Sequence, residues 1–398
     1  MKGLILSISL LISVISYSQK IKRIVDKNDV AALQEHISTI KGFENVIVVR
    51  MHDFEHVELH PFVYAVTKGN LELVKIFVKN KLFFADFDKQ LSLAFALSIT
   101  QKNAEVMNYL YGLKPNINEI CDFCLGQNAL LISVANGNED LFFKLKSSSD
   151  FNLISKKGNN LFHLVAEKSS AFSWVIYNEL KGRKDLDINL VNKFDRTPLH
   201  YAARSGNEKL YFDMLKSGAQ PVNLKSLYID AVFGGDLKIF AHVSEWIKTP
   251  PIWQNFPEMT DSIGDTYYAL ETAIKYNRSA VIKIIFKEMF DEVKQVKQDD
   301  QIEILIKILN SRQLEDNQFW PLWEIIQFEN KELFEFLIKN MVELNRLKIP
   351  YTAYNEFVED DYTENAEVLF TRFEYRAAKR RFGKKYVKNL YKQLAIKF

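Results

Sequence analysis

Arg196-Thr197-Pro198-Leu199-His200-Tyr201-Ala202-Ala203-Arg204-Ser205-Gly206-Asn207 is the sharpest member of a series of related segments that runs along most of this 398-residue chain. Thr197 suits a helix cap, and Pro198 suits the first helical position, where its missing N–H costs nothing. Gly206-Asn207 reads as a stop followed by a start. A glycine there takes the positive φ that ends one helix, and asparagine caps the next.

With Gly206 as anchor, the equivalent positions are Gly69, Lys102, Gly137, Ser169, Gly206, Gly235, Asn277 and Glu329, spaced 33, 35, 32, 37, 29, 42 and 52 residues apart. Seven residues before each anchor stands an apolar or aromatic residue: Phe62, Phe95, Leu130, Phe162, Leu199, Tyr228, Leu270 and Leu322. Four before come Ala65, Ser98, Ser133, Val165, Ala202, Ala231, Ala273 and Ile325, mostly small, which lets neighbouring units stack closely. Eight after come Phe77, Leu110, Leu145, Tyr177, Met214, Val243, Ile285 and Leu337, on the stripe begun by Leu73, Val106, Leu210, Ile239, Val281 and Leu333. This is helical periodicity with one buried face. Asn70, Asn103, Asn138, Asn207, Asp236 and Asn330 follow their anchors as caps for the second helices.

The segment at Arg196–Asn207 and its period resemble the ankyrin-repeat family, whose period is about 33 residues. The resemblance implies an all-α solenoid of stacked helix-turn-helix units with finger loops between them. It also implies that His200 is structural, bridging backbone loops. A degenerate copy from Ile21 to Ile40, anchored on Asn28 with Asp29 following, is expected to cap the start. A helix built on Tyr375, Lys379, Phe382, Tyr386, Leu390 and Leu394 is expected to cap the end.

Stacked repeats contact only their neighbours, so a chain of this length needs no single core. Hydrophobic content of 47%, with 14 Gly and 9 Pro, suits a folded chain without long disordered linkers. The expected divisions are a cleavable signal at 1–18, a degenerate capping repeat and linker at 19–55, and ankyrin repeats at 56–248. Divergent repeats with insertions follow at 249–345, and then an acidic segment and basic helix at 346–398. Met1-Lys2, the apolar run Leu4 to Ile15, and the small residues Ser16 and Ser18 describe the signal, with cleavage after Ser18. The run is too short for an ordinary membrane span, so the expected location is periplasmic or secreted, with no transmembrane segment in the mature chain. Thr249-Pro250-Pro251 and Pro257 interrupt helix, so an extended loop with Trp253 and Phe256 is expected. An extra helix is expected from Gln301 to Leu309.

Net charge is +2, unevenly distributed. From Arg372 to Phe398 there are ten Lys or Arg and one acid, Glu374, whereas Glu356, Glu359, Asp360, Asp361, Glu364 and Glu367 precede them. The basic run fits a solvated face of the cap first, and an anionic partner second; nucleic acid is not expected.

Cys121 and Cys124 are the two cysteines, in a finger between repeats. With export expected, a local disulfide is the leading reading, over free thiols and over a redox or zinc site, which would need a different setting or two more ligands. His52-Asp53-Phe54-Glu55-His56 matches an inverted zincin pattern, and on a helix His52, His56 and His60 would share a face. The repeat register puts the segment in a finger, with His60 at the Thr-equivalent cap, and so against a metal-dependent hydrolase. No Gly-rich phosphate loop, nucleophile elbow or paired carboxylates stand out. The expectation is a non-enzymatic, monomeric scaffold with no cofactor.

In ankyrin proteins the concave face of fingers and first helices usually holds the partner. Its outward positions here are Tyr64, Lys68, Glu167, Tyr201, Arg204, Asp230, Phe233, Lys275 and Tyr276. Tyr and Arg are typical interface anchors. Replacing Tyr201 and Arg204 together is expected to weaken binding and leave stability unchanged.

Overall fold

In a computed structural model of the chain, the residues described are 20–38, 47–51, 55–81, 86–168, 170–247, 269–294, 321–343 and 372–393. The signal at 1–18, His52, the anchor Ser169, the proline loop with Trp253 and Phe256, the helix expected at 301–309, and the acidic residues from Glu356 to Glu367 lie outside them.

The helices come in pairs, in chain order: α1 (20–26) and α2 (Val30–Ser38), α3 (Pro61–Val66) and α4 (Leu71–Lys79), α5 (Phe87–Thr100) and α6 (Ala104–Gly112). Then follow α7 (Ala129–Ala135) and α8 (Glu139–Leu145), α9 (Leu161–Ala166) and α10 (Ala171–Leu180), α11 (Pro198–Arg204) and α12 (Glu208–Lys216), α13 (Leu224–Gly234) and α14 (Leu237–Ile247). The last are α15 (269–275) and α16 (Ser279–Val293), α17 (Pro321–Gln327) and α18 (Lys331–Glu343), α19 (Arg372–Phe382) and α20 (Lys384–Gln393). One finger is a two-stranded antiparallel hairpin, β1 (Ile47–Met51) with β2 (Glu55–Leu59), in which Met51 pairs with Glu55 and Ile47 with Leu59. The class is all-α.

The turn inside each pair follows the repeat register. All the described anchors have left-handed backbone: Gly69, Lys102, Gly137, Gly206, Gly235, Asn277 and Glu329, and also Asn28 of the degenerate leading copy, with φ between 53° and 76°. That conformation reverses the chain in two residues, so the next residue can cap a helix at once. Asn70, Asn103, Asn138 and Asn207 each accept a hydrogen bond on the side-chain oxygen from a backbone N–H of the following helix. Asp29, Asp236 and Asn330 do the same. Each such cap is worth about 1 kcal/mol. Asparagine also has an amide to give. Asn103 Nδ2 donates to the Gly69 carbonyl at 3.0 Å, and Asn330 Nδ2 to Ser279 Oγ at 2.9 Å, tying each turn to the one before. In the Asn277 copy the cap position holds Arg278 instead, whose Nε donates to the Phe233 carbonyl at 2.8 Å.

The chain divides into two compact units, Met1–Pro198 and Leu199–Phe398. In the first, α3, α5, α7 and α9 pack in succession, and α2, α4 and α6 form a second row. Phe62, Phe95, Leu130 and Phe162 of the first helices and Phe77, Leu110, Leu145 and Tyr177 of their paired helices are all buried. Ser98 and Ser133, at the small position, are fully buried and donate their hydroxyls to Phe95 and Leu130 carbonyls in their own helices. They thus stay small without leaving an unmet donor.

In the second unit α12, α14, α16 and α18 form a row, α17 packs on α19, and α19 on α20. Small residues permit the approach. A Cβ on Gly234 would lie 2.1 Å from the Ala203 carbonyl oxygen. The end of the chain departs from the expected single cap helix. Gly383, at φ 96°, breaks it into α19 and α20, and this lets both halves of a hairpin bury a face. Ala377, Ala378, Phe382, Val387, Leu390 and Tyr391 join the core of this unit with Phe334 and Leu337.

Candidate protein-binding surfaces

Of the outward positions expected from the register, four in the second unit are brought into one connected patch. Arg204, ending α11, donates from Nη1 to Asp230 Oδ1 on α13 at 2.9 Å. Its guanidinium carbon lies 3.8 Å from the centre of the Phe233 ring, within cation–π range. Phe233 in turn meets Tyr276, just beyond α15, with ring centres 4.1 Å apart. Tyr276 and the adjacent Lys275 are exposed, while Tyr201 and Phe233 are half-buried.

Asp230 differs from its expected outward place: its side chain has no exposure, against 41% for Arg204. An ionised carboxylate out of water costs several kcal/mol unless it is paired and hydrogen-bonded. Arg204 is therefore a counter-ion within its own unit, and replacing it is expected to cost stability, contrary to the reading from the sequence. Sequence periodicity put each residue on the outward face of its own helix but could not show that one of them would be enclosed.

Tyr64 and Lys68 belong to a separate cluster in the first unit. Tyr64, expected at the surface, is buried, and its hydroxyl donates to Asp26 Oδ1 at 2.5 Å. Lys68 and Lys22 approach the same carboxylate at 2.7 and 2.8 Å. Burial alone would push the Asp26 carboxyl up, but hydrogen bonds from Lys22, Lys68 and Tyr64 together hold it well below the ordinary range. The cluster locks α1 to α3 and leaves little of Tyr64 to offer a partner. Glu167 is exposed at the end of α9.

The histidines read as structure. His163 is fully buried, with Nδ1 2.8 Å from Asn160 Oδ1 and Nε2 3.1 Å from the Arg196 carbonyl. His200, also buried, places Nε2 3.3 Å from the Asn223 carbonyl. Each bridges a helix start to the next loop. His60 caps α3, its Nδ1 accepting from Phe62 N at 3.2 Å. Glu55 and His56 lie in β2, a strand and not a helix, so the shared helical face that a zincin arrangement needs does not form there. Among the described residues no group of three or more His, Cys, Asp and Glu could hold a metal ion.

Cys121 and Cys124 are joined by a disulfide within a finger, and both are buried. That finger and the next two carry exposed apolar side chains that periodicity did not single out: Leu125, Ile154, Val191 and Phe194. Their signal was weak because finger positions follow no helical period. The turn glycines and polar residues around them were the available clue.

Paired helices, left-handed turns capped by Asn or Asp, and bonded fingers define a repeat scaffold of helix-turn-helix units. Residues 130–224 match the family model for ankyrin repeats, as three copies. The chain thus carries ankyrin repeats over residues 130–224. No curated protein matches it. Ankyrin repeats serve in protein–protein interaction and are typically non-enzymatic. Among the described residues no helix is long and apolar enough to cross a membrane.

Proposed function

We propose that the chain is an exported, non-enzymatic scaffold that holds a protein partner against the first-helix side of its repeats. Phe233, Lys275 and Tyr276 make the contact, and Arg204 and Asp230 support it from beneath. The observation that carries this reading is the connected run from Asp230 through Arg204 and Phe233 to Tyr276. An aromatic pair seated on a half-buried ion pair is already ordered, so little side-chain entropy is lost on association. Aromatic residues beside a cation are the residue types that dominate binding energy.

Export rests on the leader-like start at Met1–Ser18 and is supported by the Cys121–Cys124 disulfide, a bond that persists in oxidising compartments. Affinity capture from an extract of the host tests the reading, using the chain from Gln19 onward and a Lys275→Glu, Tyr276→Ala variant as control. A partner held by the wild type and lost by this variant supports the proposed face. Equal capture by both removes it.

A second reading has its own observation. Arg376, Arg380, Lys384, Lys385, Lys388 and Lys392 are exposed on α19 and α20, and among the described residues no carboxylate pairs with them. Such a surface suits an anionic contact, and binding that falls steeply between 50 and 200 mM salt, on the order of 10³-fold or more, would be its sign.

A further inference from the structure

Three consecutive fingers of the first unit form a bonded ladder. Within each finger the chain closes on itself: Cys121 N donates to the Gln127 carbonyl at 3.0 Å, Ser155 N to Asn159 at 2.9 Å, and Asn192 N to Arg196 at 2.9 Å. Between fingers, Lys156 N donates to the Leu125 carbonyl at 2.9 Å and Lys193 N to the Lys157 carbonyl at 3.0 Å. Asn192 Nδ2 adds a bond to Asn159 Oδ1 at 2.7 Å. The approach is close enough that a Cβ on Gly126 would lie 2.9 Å from Lys156 Cβ, and one on Gly158 3.2 Å from Lys193 N. The first finger is the longest, with its closing residues six apart rather than four, and the disulfide braces this excess.

The ladder aligns equivalent positions. Leu125, Lys157 and Phe194 each precede a left-handed residue of their finger, Gly126, Gly158 and Asp195, and in the longer first finger Leu125 is left-handed as well. Across the tips the column therefore reads apolar, cationic, apolar, with Leu125 56% and Phe194 53% exposed. Just before the residues that close the fingers stand Ile120, Ile154 and Val191, of which the last two are exposed. Lys156, Lys157 and Lys193 are exposed, and no carboxylate among the described residues pairs with them. Acids at the tips, Asp122 and Asp195, are confined to the outer fingers, so the middle finger is purely cationic.

We infer that these tips are a docking surface for a protein segment in which one or more carboxylates are flanked on both sides by apolar side chains. The carboxylate meets Lys156 and Lys157, and the flanking groups cover Leu125 and Phe194. The inference rests on the reading of the chain as a protein-binding scaffold and adds to it a place and a partner chemistry. Two exposed apolar residues held a fixed distance apart by a backbone-bonded ladder, with cations between them, present a complementary pattern that needs no reordering on contact.

Panning a random peptide library on phage against the full chain tests it, with Lys157→Glu, and with Leu125→Ser plus Phe194→Ser, as variants whose melting is checked first. The wild type should enrich peptides with Asp or Glu between apolar residues. Lys157→Glu should move the central preference to Lys or Arg and weaken a wild-type-selected peptide by tenfold or more, about the effect of 1.4 kcal/mol. The double variant should lose the apolar flanks. The same peptides enriched by wild type and Lys157→Glu, or no peptide enriched, overturns the inference. Peptides lost by Lys275→Glu, Tyr276→Ala but kept by the finger variants would also overturn it, while leaving the helix-face reading in place.

Discussion

Removing Arg204 tests whether the patch in the second unit is built on an ion pair with a buried carboxylate. Arg204→Ala leaves the Asp230 carboxylate, with no side-chain exposure, short of its charged partner. Stripping one member of a fully buried pair costs about 3–5 kcal/mol. Here the guanidinium is 41% exposed, so water can replace part of what is lost, and the cost falls to about 2 kcal/mol. Loss of the stacking on Phe233 adds about 0.5–1 kcal/mol. A total of roughly 2–3 kcal/mol corresponds to a drop of about 4–12 °C in Tm for a unit of this size. Thermal and urea unfolding followed by circular dichroism would measure it for wild type, Arg204→Ala, and Arg204→Met with Asp230→Leu. The double variant should regain at least half of the loss, because it buries no unpaired charge. An Arg204→Ala protein that melts within about 0.5 kcal/mol of wild type would refute the reasoning and return Arg204 to the set of pure contact residues.

Gly234→Ala should destabilise the second unit by about 3 kcal/mol or more, read as a lower urea midpoint, because the added carbon meets the backbone oxygen of Ala203 rather than a side chain that could move. Lys102→Gly should raise stability by about 1 kcal/mol, since Lys102 is held at φ 55° where only glycine is unstrained; an unchanged or lower midpoint would count against the left-handed turn. Asn103→Ala should cost about 2 kcal/mol and Asn103→Asp about half of that, because aspartate keeps the cap to Val106 N but has no amide for the Gly69 carbonyl. Asp26→Asn should cost about 1 kcal/mol at pH 7. The Asp26 carboxyl is depressed in the folded state, so its contribution is complete above its unfolded value and is lost as pH falls through the folded one. The gap between wild type and Asp26→Asn should accordingly narrow only below about pH 4, and a gap that narrows on raising pH would contradict the assignment.

Much of the fold was legible because ankyrin-type turns write themselves locally. Gly206-Asn207 and its cognates specify a left-handed residue and a cap, both properties of a few adjacent atoms, and even Lys102, Glu329 and Asn28 adopt the conformation that their positions in the register require. The buried stripes from Phe62 to Leu337 were legible for the same reason, since a helix repeats every few residues whatever it packs against. The break at Gly383 was missed because Tyr375 to Leu394 keeps an amphipathic pattern across it, and one glycine does not interrupt periodicity.

The sequence by itself determined the repeat register, the turn chemistry, the identity of most core positions and the structural part of His200, all set by local backbone preference and short-range side-chain pattern. Only tertiary structure decided which surface residues remain at the surface. Asp230 and Tyr64 vanish beneath neighbouring groups, Arg204 becomes a counter-ion, and Leu125, Lys157 and Phe194 become one row. Solvent exposure depends on what a neighbouring repeat places alongside, and that placement is set by packing between residues some 26 to 38 positions apart, beyond the reach of any local pattern.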